Sequence, residues 1–341
     1  MIPSNKRHLD RTRIPARHRR GKRGVFFREK RYPRPCEDLY GKGRWDKPGA
    51  AERSMRGFNE DNITDAVIDR FKNTPDPRLK TIMNRLVRHL HDFVREVDLT
   101  FDEWLYAVHF LTRTGQICSE SRQEFILLSD TLGISMLVDA VNHRMPEGAT
   151  ATTVLGPFYV ENPPEFPMGF DISRGQKGEA LFVQGDVSSA SGDALRNVVV
   201  DVWQSDTDGY YDVQRSDLNE PTLRGRFRAD PQRRFYFWSI LPSAYPIPHD
   251  GPVGQMLAAT ARHPWRPAHL HFMISADGHE KLITHVFVQN DPYLDSDAVF
   301  GVKNSLIGNY TQEQPGAAPD GTNMKGPWRK LVYHFALKRL A

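Results

Sequence analysis

The spacing of apolar residues changes period partway along the chain. From residue 61 to 146 it is helical. Ile63, Val67, Ile68 and Phe71 fall on one face of a segment that Asn62 can cap, with Asp65 three positions on. Asp76-Pro77 opens a second segment, where Leu79, Ile82, Met83, Leu86, Leu90, Phe93 and Val94 form a long apolar stripe. Thr100 and Glu103 have capping-box spacing ahead of Trp104, Val108 and Leu111, with Gly115 as the expected stop. One further helix is expected from Ser121 to Val141, its Leu, Ile and Met residues serving a core or a subunit interface.

After Gly148 the pattern shortens to strands and turns. Ala180–Val187, Asn197–Gln204, Arg234–Ile240, His269–Ser275 and Lys281–Gln289 are rich in Val, Ile, Phe, Tyr and Trp, and Gly, Pro, Asp and Asn separate them. The expected fold is mainly β: a β-sandwich over residues 151–341, an α-helical module over 57–150, and an extension, 1–56, outside both. The stripe from Leu79 to Val94 is more apolar surface than a short bundle on one sheet needs. That excess predicts that the helical module joins two copies in a homodimer.

Charge sets the extension apart from the body. Residues 1–56 hold 18 Lys/Arg and 6 Asp/Glu, a net of +12; subtracting from the totals of 46 and 42 leaves 28 and 36, a net of −8. The arm has no helical or strand period, carries Pro3, Pro15, Pro33, Pro35 and Pro48, and reads as flexible. It is either a binder of nucleic acid or a membrane surface, or an upstream extension outside the fold, with Met55 as an alternative start. Without the interleaved aromatic or helical pattern of nucleic-acid arms, no nucleic-acid partner is expected. The best apolar run, Phe125–Val138, is interrupted by Ser129, Asp130, Thr131 and Ser135, short of the roughly 18 residues of a spanning helix, so no membrane span is expected. No secretory apolar core is visible, and two cysteines, Cys36 and Cys118, cannot staple a chain of 341 residues; a reducing, cytoplasmic location is expected.

The candidate chemistry lies among the strands. There is no phosphate-cradling glycine loop, Cys-x-x-Cys pair or Gly-x-Ser-x-Gly elbow. In Arg266-Pro267-Ala268-His269-Leu270-His271-Phe272, alternation puts His269 and His271 on one side of a strand, with Cα atoms about 7 Å apart. Such a pair is either two ligands for one metal or a hydrogen-bonded pair. No His-x-Asp/Glu completes a two-His-one-carboxylate ferrous site, and both cysteines are far off in sequence. Tyrosine is available instead. Tyr210 and Tyr211 follow the turn Asp206-Thr207-Asp208-Gly209, and Tyr245 lies in Pro242-Ser243-Ala244-Tyr245-Pro246. A phenol, with a pKa of about 10, ionises at neutral pH only on a strong Lewis acid, and phenolate, a hard anion, favours Fe(III). Each tyrosine is otherwise a strand-edge residue with a bonded hydroxyl.

The order and spacing of Val200-Asp201-Val202-Trp203-Gln204, Asp208-Gly209-Tyr210-Tyr211, Leu223-Arg224-Gly225-Arg226, Leu241-Pro242-Ser243-Ala244-Tyr245-Pro246 and the Arg266–His271 run resemble the intradiol ring-cleaving dioxygenases. The resemblance also takes in the helical module and Thr153-Val154-Leu155-Gly156-Pro157-Phe158-Tyr159, and it excludes residues 1–56. It implies an Fe(III) centre held by Tyr211 and His269 in the equatorial plane and by Tyr245 and His271 on the axis. It further implies that Tyr245 takes a substrate proton and that Arg266 faces the substrate as an electrostatic stabiliser, rather than forming a salt bridge beneath the sheet. The pocket wall would come from Leu127, Asp130, Val154, Leu155, Gly156, Phe158, Ile247, Pro248 and Val299.

Where catechol-cleaving members carry Gln, this chain has His285, either a mark of the hydroxyquinol branch or a core histidine. The implied reaction is benzene-1,2,4-triol plus O2 to maleylacetate. Catechol or a chlorocatechol, giving cis,cis-muconates, is the alternative substrate, and an iron-free β-sandwich binding module is the non-enzymatic alternative. In the family the helical module joins two subunits and can hold a phospholipid tail.

Overall fold

The computed structural model describes residues 56–119 and 122–340. The basic arm as far as residue 55, with Cys36, lies outside the described residues. The chain divides into two compact units, one ending at Val97 and one beginning at Asp98.

In the first unit, α1 (Ile63–Arg70) and α2 (Pro77–Glu96) pack as a pair. Asn62 occupies the N-cap position of α1, but its side chain accepts from the Asn59 backbone N–H rather than from the helix, which corrects its expected capping role. Asp76 does cap α2, accepting from the N–H groups of Arg78 (2.7 Å) and Leu79 (3.2 Å), with Pro77 supplying the first helical φ. On α2 the stripe residues Ile82, Leu86, Leu90, Phe93 and Val94 remain exposed in the single chain.

The second unit begins with α3 (Phe101–Gln116), entered through the expected capping box between Thr100 and Glu103. It ends one residue beyond Gly115. The single helix expected from Ser121 to Val141 is instead two, α4 (Glu124–Thr131) and α5 (Ile134–Asn142). Gly133 takes φ = 73°, the left-handed region that glycine reaches without a Cβ penalty, and this ends one helix before the next begins. The apolar periodicity runs through the break, so hydropathy alone does not reveal it.

The strands follow: β1 (Ala180–Ser189), β2 (Val199–Trp203), β3 (Arg224–Arg228), β4 (Arg234–Ile240), the short β5 (Tyr245–Pro246) and, after α6 (Pro252–Ala259), β6 (Trp265–Arg266). Then come β7 (His269–Ser275), β8 (Leu282–Val288), β9 (Ile307–Gly308), β10 (Tyr310–Glu313), β11 (Gly316–Ala317), β12 (Asn323–Met324) and β13 (Trp328–Leu337). Two sheets make the sandwich, one ordered β10-β13-β1-β4 and the other β3-β2-β7-β8-β9. The segments of β3, β10 and β13 were not among the expected strands. Each carries charged residues on its less buried positions, which hides the period-two signal.

The core between the sheets is built from alternate residues. Leu181, Val183, Phe235, Phe237, Leu331 and Phe335 come from one sheet, and Val200, Val202, Phe227, Leu270, Phe272 and Ile274 from the other. Because side chains alternate, putting Leu270, Phe272 and Ile274 into the core sends His269, His271 and Met273 to the opposite face. The chemistry therefore sits on the outer face of the five-stranded sheet, beneath the segment after Ala149. The Thr153 N–H bonds to the Ile283 carbonyl and Thr284 Oγ1 to the Ala151 carbonyl, which ties that segment to β8. Among the described residues no helix is long and apolar enough to cross a membrane.

Candidate metal centre

Register decides what meets on that outer face. His271 lies opposite Trp203 on β2 and His285 on β8, and His269 lies opposite Phe287. The Trp203 ring stacks on His271 with centroids 4.6 Å apart, and His285 meets His271 edge-on at 4.1 Å. The two tyrosines arrive from loops. Tyr211 follows a turn in which Asp206 Oδ1 accepts from the N–H groups of Asp208 and Tyr210, both at 2.9 Å. Gly209 sits in that turn at φ = 85°, and a Cβ there would stand 2.6 Å from the Tyr245 Cβ. Only glycine lets the two tyrosine-bearing loops come this close. Phe158 stacks on Tyr211 at 4.4 Å, and a buried Arg224–Asp212 pair anchors the residue after Tyr211 while Arg224 Nη1 also donates to the Phe158 carbonyl. Tyr245 belongs to β5, which pairs with β6 so that Tyr245 lies opposite Arg266.

Four side-chain donors converge as a result. Tyr211 Oη lies 2.9 Å from His271 Nε2 and 3.2 Å from Tyr245 Oη, and His269 Nε2 lies 3.2 Å from His271 Nε2. All four residues are buried. His269 Nδ1–H donates to the Pro267 carbonyl at 2.7 Å, which leaves the Nε2 lone pair free to bind a metal. Burial depresses the basicity of both imidazoles, that of His269 down to about 3, with the Arg266 charge adding to the effect. Burial thus favours the neutral form of both rings, the form that can donate to a metal. Burial, and then Tyr245, push the Tyr211 phenol well above its usual value, so it ionises only when a cation draws off its proton. Two neutral imidazoles and two phenols that need a strong Lewis acid fit a ferric ion.

His269, His271 and His285 also have ring nitrogens within 4.8 Å of one another. Among the described residues neither nitrogen of His285 has a hydrogen bond of good geometry; burial, then the neighbouring His271 and His269, push its basicity well down, against the Val154 backbone, which raises it. The structure thus brings His285 to the site, packed against the rings of His269 and His271.

The remaining expected residues fall into groups. Leu155 and Phe158 pack with Trp203, Tyr211 and Tyr245. A Cβ on Gly156 would stand 3.3 Å from His271 Cε1. Ile247 and Val299 form a second apolar cluster with Leu127, while Pro248 is exposed. Asp130 is buried near Arg266 and Asp297; burial raises its pKa, against the pull of Ser135 and Arg266.

Arg266 is fully buried and bound to Asp297, with Nε to Oδ1 at 3.0 Å and Nη2 to Oδ2 at 3.3 Å. It also couples electrostatically to both tyrosines. The ion pair corrects the expectation that Arg266 forms no salt bridge beneath the sheet. Asp297 was not expected. It lies in Asp295-Ser296-Asp297, a loop stretch with no periodicity or motif to mark it.

Comparison with known proteins covers both regions. Residues 154–338 match the family described as Dioxygenase, and residues 76–150 match Catechol dioxygenase N terminus. The chain is 53% identical over 262 residues to 6-chlorohydroxyquinol 1,2-dioxygenase of Cupriavidus pinatubonensis, covering 77% of this chain and 95% of the relative. It is 47% identical over 284 residues to hydroxyquinol 1,2-dioxygenase of a Rhizobium species, covering 83% and 96%. The crystal structure of hydroxyquinol 1,2-dioxygenase from Pseudomonas putida aligns with a TM-score of 0.78 at 49% identity, over 82% of this chain and 99% of that one. With the strand region and the helices before it both matched, and most of each relative's length spanned, the chain belongs to the intradiol ring-cleaving dioxygenases.

Proposed function

We propose that this chain is an Fe(III) enzyme that opens hydroxyquinol (benzene-1,2,4-triol) with O2 to give maleylacetate, its iron held by Tyr211, Tyr245, His269 and His271. The observation that carries the reading is the convergence of those four buried donors on one sheet face. Bound there, Fe(III) would supply the Lewis acidity that favours ionised diol and draws ring electron density toward reaction with O2. Tyr245 Oη, as phenolate, takes a proton from one substrate hydroxyl. The Arg266 guanidinium stays charged throughout and stabilises negative charge on the ring. Asp130 accepts from the third hydroxyl of the triol, a group that would cost roughly 1–3 kcal/mol if buried unpaired. Phe158, Leu155 and Trp203 keep water from the reacting face. Ile247, Pro248, Val299, Leu127, Val154 and Gly156 complete the wall, and His285 backs the histidine pair.

Two relatives named for hydroxyquinol or its chlorinated form, at 47% and 53% identity, support the triol over catechol. The test is iron content, the visible phenolate-to-Fe(III) band, and O2 uptake with hydroxyquinol, 6-chlorohydroxyquinol and catechol. The expected protein is red to burgundy and turns over the triols faster than catechol. An iron-loaded but colourless protein would refute tyrosine ligation, and a preference for catechol would move the substrate to the neighbouring branch.

The proposal extends to assembly. The helical segment, residues 57–150, forms the contact of a homodimer and can shelter a phospholipid tail. Support comes from the exposed Leu86, Leu90 and Phe93 on α2 and the exposed Phe101, Trp104 and Tyr106 on α3. A monomer by light scattering at micromolar concentration would refute it.

A further inference from the structure

We infer that Asp297 is the positioning residue of the reaction: its carboxylate locks the Arg266 guanidinium in the orientation that presents Nη1 to the substrate. The inference rests on the proposed role of Arg266. Two of the three guanidinium nitrogens, Nε and Nη2, are held by the two oxygens of Asp297. Among the described residues Nη1 makes no hydrogen bond, so it is the edge left for a ligand. A side-on, two-point pair removes rotation about the last bonds of the arginine, which a single contact would not.

Asp297 is itself held rigidly. Oδ1 also accepts from the Val299 N–H at 3.3 Å and Oδ2 from the Gly301 N–H at 2.9 Å. Four donors thus occupy one carboxylate. The loop that supplies two of them is pinned from outside: the Ala298 N–H bonds to the Trp265 carbonyl, and Arg262 Nη2 donates to the Ala298 carbonyl. Phe300 adopts φ = 59°, and a Cβ on Gly301 would come within 3.0 Å of Arg266 Nη2 and 3.1 Å of Asp297 Oδ2. The backbone is therefore shaped around this ion pair. A buried carboxylate retained only for loop structure would need the two backbone donors and not the guanidinium.

That difference gives the test. Asp297→Asn keeps the size and an acceptor for the loop but removes the charge and one acceptor edge. In the iron-loaded full chain it is expected to retain iron content and the visible band, to keep KM for hydroxyquinol within about threefold, and to lose kcat by about tenfold or more. Unchanged kcat, or a loss confined to KM, would overturn the inference. Should Asp297→Asn fail to fold or to hold iron, Arg266→Ala with Asp297 intact is the second variant. Added guanidinium ion is expected to restore its turnover at least tenfold, because Asp297 offers a docking anion, and no restoration would overturn the inference. If the unmodified chain shows neither the band nor triol turnover, the functional reading itself fails. If it shows both and Asp297→Asn matches it, only the role of Asp297 fails.

Discussion

Gly209→Ala adds one methyl group at the point where the two tyrosine loops touch. The new Cβ would stand 2.6 Å from the Tyr245 Cβ and 3.4 Å from its Cα, so the neighbour it meets is the root of a side chain and cannot swing aside. Two costs add. Ala at φ = 85° bears the left-handed penalty of roughly 1–2 kcal/mol. Overpacking against Tyr245 adds about 1–3 kcal/mol. Gly192 provides the control, since it has φ = 80° and nothing within 4 Å of the built Cβ, so Gly192→Ala carries only the backbone term. Differential scanning calorimetry should place Gly209→Ala about 4–20 °C below the parent and Gly192→Ala only about 2–8 °C below, at about 2–4 °C per kcal/mol for a unit of this size. The two should also part in colour: Gly209→Ala moves Tyr245 and weakens the visible band, whereas Gly192→Ala keeps it. Equal melting shifts for the two variants, with the band intact in both, would refute the claim that Gly209 is there for the approach of Tyr245.

Other outcomes are expected from the same geometry. Tyr211→Phe and Tyr245→Phe should each weaken iron binding or bleach the band, measured by metal content and absorbance; full retention in both would dismiss the four-ligand set. Asp130→Ala should lower kcat/KM for hydroxyquinol by about tenfold or more while catechol turnover barely changes, since one bond to a charged group is worth roughly 1.5–3 kcal/mol. Burial raises the Asp130 pKa above its unfolded value, so its stabilising contribution is complete below the unfolded pKa of about 3.9 and is lost as pH rises through the folded one. Asp130→Asn should therefore raise Tm at pH 7 and leave it nearly unchanged at pH 3.5; a fall in Tm at pH 7 would contradict this sign. A chain starting at Met55 should keep colour and turnover, because residues 1–54 hold none of the proposed ligands.

Much of the fold was legible in local pattern. The caps at Asp76 and at Thr100 with Glu103 work as their spacing predicts, because a cap is settled within about one turn of chain. Local pattern failed where a later contact or a backbone angle decided. The Leu132-Gly133 break lies inside a stretch whose apolar residues recur on both sides of it, and Asn62 gives its oxygen to Asn59 instead of to α1. The C-terminal strand Trp328–Leu337 hides behind Arg329 and Lys330, yet it pairs in parallel with β1 inside the four-stranded sheet.

By itself the sequence determined which residue types were available and on which side of a strand they lie. His269 and His271 share a face because alternation leaves no other arrangement once Leu270 and Phe272 are buried. The tertiary structure alone decided which partners reach that face. Register set His285 and Trp203 beside His271, and the closeness of the two loops at Gly209 brought Tyr211 Oη to 3.2 Å from Tyr245 Oη across 34 residues of chain. Asp297 became visible only there, 31 residues beyond the arginine it holds. A pairing over that distance leaves no periodic trace, because it depends on where two loops end and not on how either repeats.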